Sequence, residues 1–370
     1  MGANSIFIGP IWAHYRKSLI DELIQKNPDI LFYGAKKYLT NKPLENNDNV
    51  RNIFKIRSFR ILNHTFYWYK GFFKTIDFRN ANKIVIVGFD PHMLHLTILV
   101  FYLKFILNKK FYWWSHANYG DQGKLGLFIR LFFYNQAKGI LSYSSEGRNR
   151  LINKGFQAEK IKVLNNCLNY EDYGWLQNSL NSFKKSRESF NLILTGKLNK
   201  EKKIHLLIEA VEILNKDNNN NIFCTIVGDG DLFYELKKLT TDKGVESYVN
   251  LVGPKYGNKI HKFLMNADLY IIPGAVGLSI VHGFSFGLPI LTSNKMEIHR
   301  PEIELLDPGV NGDFFNDGDP KSLAEKILEW RTKIQNNGSE KFSNNCVNSI
   351  KNNKYLPNEV ANNIYNKINE

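Results

Sequence analysis

The chain has 370 residues, 43% hydrophobic and 23% charged, which is longer than one hydrophobic core usually grows and too apolar for a disordered or fibrous chain. Its net charge of +14 is unevenly placed: residues 1–180 hold 25 Lys+Arg against 12 Asp+Glu, and residues 181–370 hold 24 against 23. That asymmetry fits a first domain that meets an anionic surface or ligand, although a Lys-rich proteome would leave the same trace.

The start, MGANSIFIGPIWAHYRK, has no basic segment leading into an apolar stretch and a cleavage site, so no secretory leader is expected. Its Ser5 falls one place short of a myristoylation pattern. SIFIG, DILFYG, KIVIVG, FYWWS and GILSYS then read as strands, several ending at Gly or Ser, with helices such as Tyr15–Gln25 and Leu125–Gln136 between them. Phe66–Phe73 (FYWYKGFF), with Lys70 inside it, is a candidate amphipathic patch that either faces a membrane or joins the core. His92–Leu107 is too short for a bilayer span and carries His92, His95 and Lys104, so a helix buried on nearly all sides is predicted.

Tyr170–Ser189 is polar and without periodicity, which predicts a linker. Beyond it the alternation is cleaner: NLILTGKL, helix Ile204–Asn215, IFCTIVGDG, helix Asp231–Lys243, VNLVG, helix Lys259–Asn266, LYIIP, helix Leu278–Phe286 and PILTS. Strands alternating with helices predict parallel sheets with crossovers. The expected division is a first Rossmann-like domain over 1–175, a linker over 176–189, a second Rossmann-like domain over 190–345, and a final stretch 346–370 whose helix packs back on the first domain. Cys167, Cys224 and Cys346 are widely spaced and odd in number, which suits a reducing compartment better than zinc or a disulfide framework.

Ligands of such folds bind at the carboxyl ends of the strands, so the loops there carry the candidate chemistry. In TGKLNKEKKIHLLIEA, Lys197 and Lys202 occupy a loop between a strand and an amphipathic helix, where paired cations would neutralise a departing diphosphate. A solvated basic turn would look the same. In IIPGAVGLSIVHGFSFGLP, a Gly-rich turn leads into a helix whose first amides could bind phosphate, as a simple tight turn would also do.

Together these stretches resemble the second domain of the family 4 retaining glycosyltransferases. The likeness continues in order through IVGDGDLFYELKKL, VNLVGPKYGNKIHKFLMNADLYIIP, GLSIVHGFSFGLPILTS and PEIELLDPGVNGDFFNDGDPKSLAEKI, spanning roughly Leu192–Leu328. The first half is similar more loosely, through FYWWSHANYGD and ILSYSSEGRNRLINKGFQAEKIKVLNNCLN.

The resemblance implies an α/β chain of GT-B fold: two facing Rossmann-like β/α/β domains with a cleft between them. It implies transfer of a hexosyl or deoxyhexosyl group from a UDP-, GDP- or dTDP-sugar, with retention of configuration, to a glycan or polyprenyl-diphosphate-linked acceptor. The expected setting is bacterial capsule, O-antigen or exopolysaccharide synthesis on the cytoplasmic side, with possible contact between the basic first half and the inner face of the cell membrane. No cofactor and no metal is expected, since no acidic pair is read at a strand end. The resemblance puts Lys197, where the family usually has Arg, and Lys202 on the diphosphate. It puts Gly253 beside the base, Gly277, Leu278 and Ser279 at the phosphate-facing helix start, and His116 near the donor sugar.

One departure stands out. The family's two glutamates, one for the sugar and one for the ribose, are replaced here by Gly274 and His282. His282 can still hydrogen-bond a ribose hydroxyl and Gly274 cannot replace a carboxylate; Glu302, in HRPEIE, is a candidate for the sugar or simply a turn cap. Asp90 is a candidate acceptor contact or helix cap, and Arg16 a candidate acceptor-phosphate contact or a solvated residue. The rival expectations are another GT-B enzyme, such as a phosphorylase or a nucleotide-sugar epimerase, the latter with carboxylates on the sugar and no basic acceptor face, and a nucleic-acid-binding protein, which would gather its basic residues on one face.

Overall fold

The computed structural model describes residues 5–38, 42–61, 64–88, 90–116, 124–177, 189–216 and 221–370. The chain divides into two compact units, one formed by 1–169 with 357–370 and the other by 170–356. Most of the linker expected over 176–189 lies outside the described residues.

The first unit is built on strands β1 (Ser5–Ile8), β2 (Ile30–Ala35), β3 (Val50–Phe54), β6 (Lys83–Val87), β7 (Tyr112–Ser115), β8 (Gly139–Ser142) and β9 (Ile161–Val163). They form one parallel sheet in the order β3-β2-β1-β6-β7-β8-β9. Side chains alternate across a strand, so both faces of these apolar runs are buried. Ile6, Ile8, Ile84, Ile86 and Trp113 enter one core, while Phe7, Val85, Tyr112 and Trp114 enter the other. Helix α1 (Lys17–Lys26) covers the second core with Leu19, Ile20 and Leu23.

The sequence reading missed β3, β9 and an antiparallel hairpin of β4 (Ile56–Ile61) and β5 (His64–Tyr69), followed by α2 (Phe72–Thr75). The hairpin takes up half of the aromatic stretch Phe66–Phe73, through Tyr69. Tyr69 and Phe72 are core residues, so core packing rather than a membrane accounts for that half of the pattern. Helix α3 (Leu94–Phe101), which continues as a π-helical turn Tyr102–Ile106, corrects another expectation. It buries His95, Leu96, Leu99, Val100 and Leu103 but leaves Ile98, Phe101, Phe105 and Ile106 exposed. α4 (Lys124–Asn135) and α5 (Ser145–Ile152) follow, α5 capped by Ser144, whose Oγ accepts from the Gly147 amide at 2.9 Å.

Among the described residues the second unit has six parallel strands: β10 (Phe190–Thr195), β11 (Ile222–Val227), β12 (Val249–Gly253), β13 (Leu269–Ile272), β14 (Ile290–Ser293) and β15 (Gly312–Phe315). Their order is β12-β11-β10-β13-β14-β15. Helices α6 (His205–Asn215), α7 (Phe233–Asp242), α8 (Asn258–Met265) and α9 (Ser279–Ser285) connect them. α10 (Pro320–Asn337) then starts where Asp319 caps the amides of Lys321 and Ser322, with Pro at the first helical position where its missing N–H is no loss.

The unit boundaries differ from the sequence division. α11 (Ser339–Asn352) buries Phe342, Cys346, Val347 and Ile350 and stays with the second unit. A break at 346 would cut that helix; the polar run Gln335–Asn345 is only the solvent side of two helices that meet at Gly338, whose φ is +80°. Only α12 (Pro357–Asn369) returns to the first unit, where Val360, Ala361, Ile364 and Ile368 join the α1 core. Tyr170–Gln177 likewise belong to the second unit: the Gly174 amide donates to Ser285 Oγ and the buried Tyr173 hydroxyl to the Tyr355 carbonyl.

Candidate functional site

In the second sheet the connections run one way from β10 through β11 to β12 and the other way from β13 outward. The loops after β10 and β13 therefore part at adjacent strand ends, the switch point at which open α/β sheets bind ligands. Those loops are Gly196–Lys203 and Pro273–Leu278, the two stretches singled out from sequence.

They interlock through backbone. The Ala275 amide donates to the Glu201 carbonyl at 3.0 Å, and Lys202 Nζ donates to the Ala275 carbonyl. A Cβ on Gly274 would sit 2.0 Å from the Glu201 carbonyl oxygen and within 3 Å of the Lys202 backbone. Position 274 thus has no room for a side chain while the two loops interlock in this way.

His299, which the sequence reading passed over, ties the loop down from the other side. Its Nδ1 accepts from the Val276 amide at 3.1 Å and its Nε2 donates to the Ser293 carbonyl at 2.8 Å. Accepting at one nitrogen and donating at the other requires the neutral ring, and burial keeps its pKa below the usual histidine value. The Arg300 amide adds a bond to the Val276 carbonyl at 2.9 Å. The cue in the sequence is the HRP run, His299–Pro301, just before Glu302.

The lysines of KEKK divide by role. Lys202 is partly buried, and burial holds its ammonium below the ordinary lysine value, opposed by Glu201, reinforced by Arg300 and opposed again by Glu302. Lys203, at φ +47°, turns away and pairs with both carboxylate oxygens of Asp317 at 2.6 and 2.7 Å; Asp317 also accepts from Ser293 Oγ at 2.7 Å. Lys197 is exposed on the same loop as Lys202.

The other second-unit candidates fall around this core. Gly277 precedes α9, with Arg300 Cγ 3.6 Å from where its Cβ would be, and Leu278 is the N-cap residue. Ser279 and His282 are three residues apart on one helix face, and Ser279 Oγ and His282 Nε2 are both buried without a hydrogen-bond partner among the described residues. Burial, with His261 nearby, pushes the His282 pKa down to about 4, and its ring lies 5.5 Å from Phe286. Glu302 is 4% exposed, in the turn Pro301–Leu305, close enough to bias Lys202 and Tyr355 electrostatically. Gly253 ends β12 at φ +71°, which favours glycine, and its carbonyl accepts from the Gly228 amide at 3.1 Å. An acidic pair at a strand end, overlooked in the sequence, does exist as Asp229 and Asp231 after β11; Asp229 Oδ1 accepts from the Gly230 amide at 2.8 Å.

The first unit carries its own cluster at the carboxyl ends of β1, β7 and β8. Arg16 is not a freely solvated residue. Its guanidinium lies 5.0 Å over Trp114 and within 6.0 Å of the Trp12, Tyr15 and Tyr143 rings, and it donates to Tyr143 Oη at 2.7 Å. His116, exposed at the end of β7, stacks on the same Tyr143 ring at 4.1 Å. Asp90 does not cap α3, whose N-cap is Met93; its Oδ1 instead accepts from the His92 amide and meets His92 Nδ1, both at 2.9 Å. It borders a cavity of about 300 Å³ lined by Lys37, Tyr38, Ile56, Tyr67 and Met93.

Two units of this kind, each a parallel sheet flanked by helices and the second with a switch point at adjacent strand ends, define the GT-B fold. Whole-chain likeness agrees. HepE from Anabaena, solved in complex with UDP, superposes over 100% of both chains with a TM-score of 0.68 at 17% identity. A glycosyltransferase from Rickettsia africae does so over 100% of both with a TM-score of 0.69 at 14% identity. Within the chain, residues 177–348 match the family Glycosyl transferases group 1. The amylovoran biosynthesis glycosyltransferase AmsK of Erwinia amylovora is 28% identical over 209 residues, 54% of this chain and 48% of that one. The chain thus spans about half the length of that curated relative.

Proposed function

We propose that this protein is a glycosyltransferase that moves a hexosyl or deoxyhexosyl group from a nucleoside-diphosphate sugar to a hydroxyl of a glycan or lipid-linked glycan during bacterial surface polysaccharide synthesis. The observation that carries this reading is Lys202, a partly buried ammonium pinned to the Gly-rich loop at the switch point. As the glycosidic bond to the diphosphate breaks, charge collects on the leaving oxygens, and a fixed cation stabilises that state more than the ground state. Lys197, on the same loop, adds a second charge. His282, neutral at pH 7, and Ser279 hold buried polar atoms that a ribose or phosphate oxygen would satisfy.

HepE has been crystallised with UDP and with UDP-glucose, which favours a UDP-sugar as donor here. With no carboxylate possible at Gly274, Glu302 is the residue of the second unit assigned to the sugar, with retention of configuration. The lysines rather than a metal neutralise the diphosphate. On the acceptor side, Arg16 is assigned to a phosphate, because a half-buried guanidinium held among neutral aromatic rings is poised for an anion. The setting is the cytoplasmic face of the membrane.

Thermal unfolding with UDP, GDP, dTDP and the free nucleosides tests the core claim. UDP is expected to raise the melting temperature, with donor hydrolysis measurable for the matching sugar. Lys202→Ala should weaken diphosphate binding by about tenfold or more while sparing uridine, and Lys203→Ala should lower the melting temperature but keep the UDP response. No stabilisation by any nucleotide, or equal loss for UDP and uridine in Lys202→Ala, would refute the assignment.

A further inference from the structure

We infer that the first unit docks on an anionic phospholipid leaflet through a ridge formed by α3 with its π-helical turn and by α4. On the first element Ile98, Phe101 and Phe105 recur at i, i+3 and i+7; on α4, Leu125, Phe128 and Phe132 do the same. Each set therefore lies on one helix face. None of these side chains enters the core. Phe105, Ile106, Leu125 and Phe128 are 68%, 71%, 72% and 67% exposed.

The Phe101 ring meets Phe133 of α4 at 5.7 Å and stacks on Phe105 at 5.8 Å, so the two elements touch beside their exposed stripes. A groove of about 640 Å³ lined by Phe73, Ile98, Phe101, Tyr102, Phe105 and Ile106 continues the surface. Single exposed apolar residues are ordinary on a soluble protein, but a contiguous stripe of large ones marks an interaction surface.

Charge selects the occupant. From Pro91 to Ser145 the sequence has one acidic residue, Asp121, against Lys104, Lys109, Lys110, Lys124, Arg130 and Lys138. Lys104 and Lys110 are exposed among or just beyond the apolar residues. Aromatic and aliphatic side chains flanked by lysines suit an interface where rings enter the acyl boundary and ammonium groups meet lipid phosphates. Among the described residues no helix is long and apolar enough to cross a membrane, so this contact lies on the leaflet. The inference deepens the proposed function, from which it takes only the lipid-linked acceptor. It also relocates the membrane-facing patch from Phe66–Phe73, of which only Phe73 borders the groove.

Flotation with phosphatidylcholine vesicles, with and without phosphatidylglycerol, tests it on the full chain, and the UDP-induced melting shift is recorded for every variant. The wild type should float with the anionic vesicles, less so at high salt, and weakly with phosphatidylcholine alone. The double variant Phe105→Ser, Phe128→Ser changes two exposed side chains and should reduce partitioning by at least about tenfold with the UDP shift intact. Lys104→Glu, Lys110→Glu should abolish the preference for anionic lipid. Unchanged partitioning of the phenylalanine variant overturns the inference. So does absent vesicle binding together with a dimer that the same variant makes monomeric, which would assign the ridge to a second copy. Vesicle binding without any UDP shift would refute the donor assignment and leave the ridge standing.

Discussion

Gly274 shows how a single backbone contact governs chemistry at the residue scale. The Glu201 carbonyl occupies the place of its missing Cβ, so the interlock of the two loops and a carboxylate at this position are mutually exclusive. Gly274→Ala is expected to destabilise the fold by about 2 kcal/mol or more through forced backbone movement and to weaken UDP binding, read by urea unfolding and UDP titration. Unchanged values for both would mean that the 199–202 loop yields freely. The two adjacent lysines give a related lesson. Their spacing made Lys202 a candidate, but nothing in KEKK separates it from Lys203; the separation arises because Lys203 adopts a left-handed conformation and reaches Asp317, over a hundred positions away in sequence.

At the scale of elements, the site consists of two loops and a turn rather than any one helix. His299 links the Gly-rich loop to the end of β14 through two hydrogen bonds. Replacing it by leucine would leave the buried Val276 amide and Ser293 carbonyl unpaired, at about 1–3 kcal/mol for each group. His299→Leu should therefore lower both the melting temperature and UDP affinity. If the protein loses stability but UDP affinity at low temperature is unchanged, the histidine supports the fold alone. The second unit's elements from β10 to β14 were legible because their apolar runs are buried on both faces and punctuated by Gly and Pro, whereas β15, a four-residue run that includes Asp313, was not. The β4–β5 hairpin was not, because its strands read as an aromatic patch whose partner strand lies in a polar, basic segment. The α3 ridge was misread because a uniformly apolar helix looks buried whether or not something covers it.

For the whole molecule, His95, His261, His282 and His299 are all held below the ordinary histidine pKa by burial, His95 and His282 at about 4. An unfolded chain protonates these rings near pH 6.5, whereas the folded chain resists. Stability is therefore full above about pH 6.5 and declines as the pH falls toward about 4, because the unfolded state binds protons first. Urea midpoints measured between about pH 7 and pH 5 should fall, and His95→Phe should lessen the fall; a midpoint that rises on acidification would contradict the buried-neutral assignment.

The sequence by itself determined the two-unit α/β architecture, the alternation of strands and helices from β10 to β14 and the pair of loops at the switch point, since hydrophobic period and glycine placement are local properties. Tertiary structure alone decided which lysine stays in the crevice, that position 274 admits no side chain, that His299 holds the loop, and that α12 rather than the segment from 346 returns to the first unit. Each of these depends on a backbone or charge brought in from a distant part of the chain, which no local pattern records.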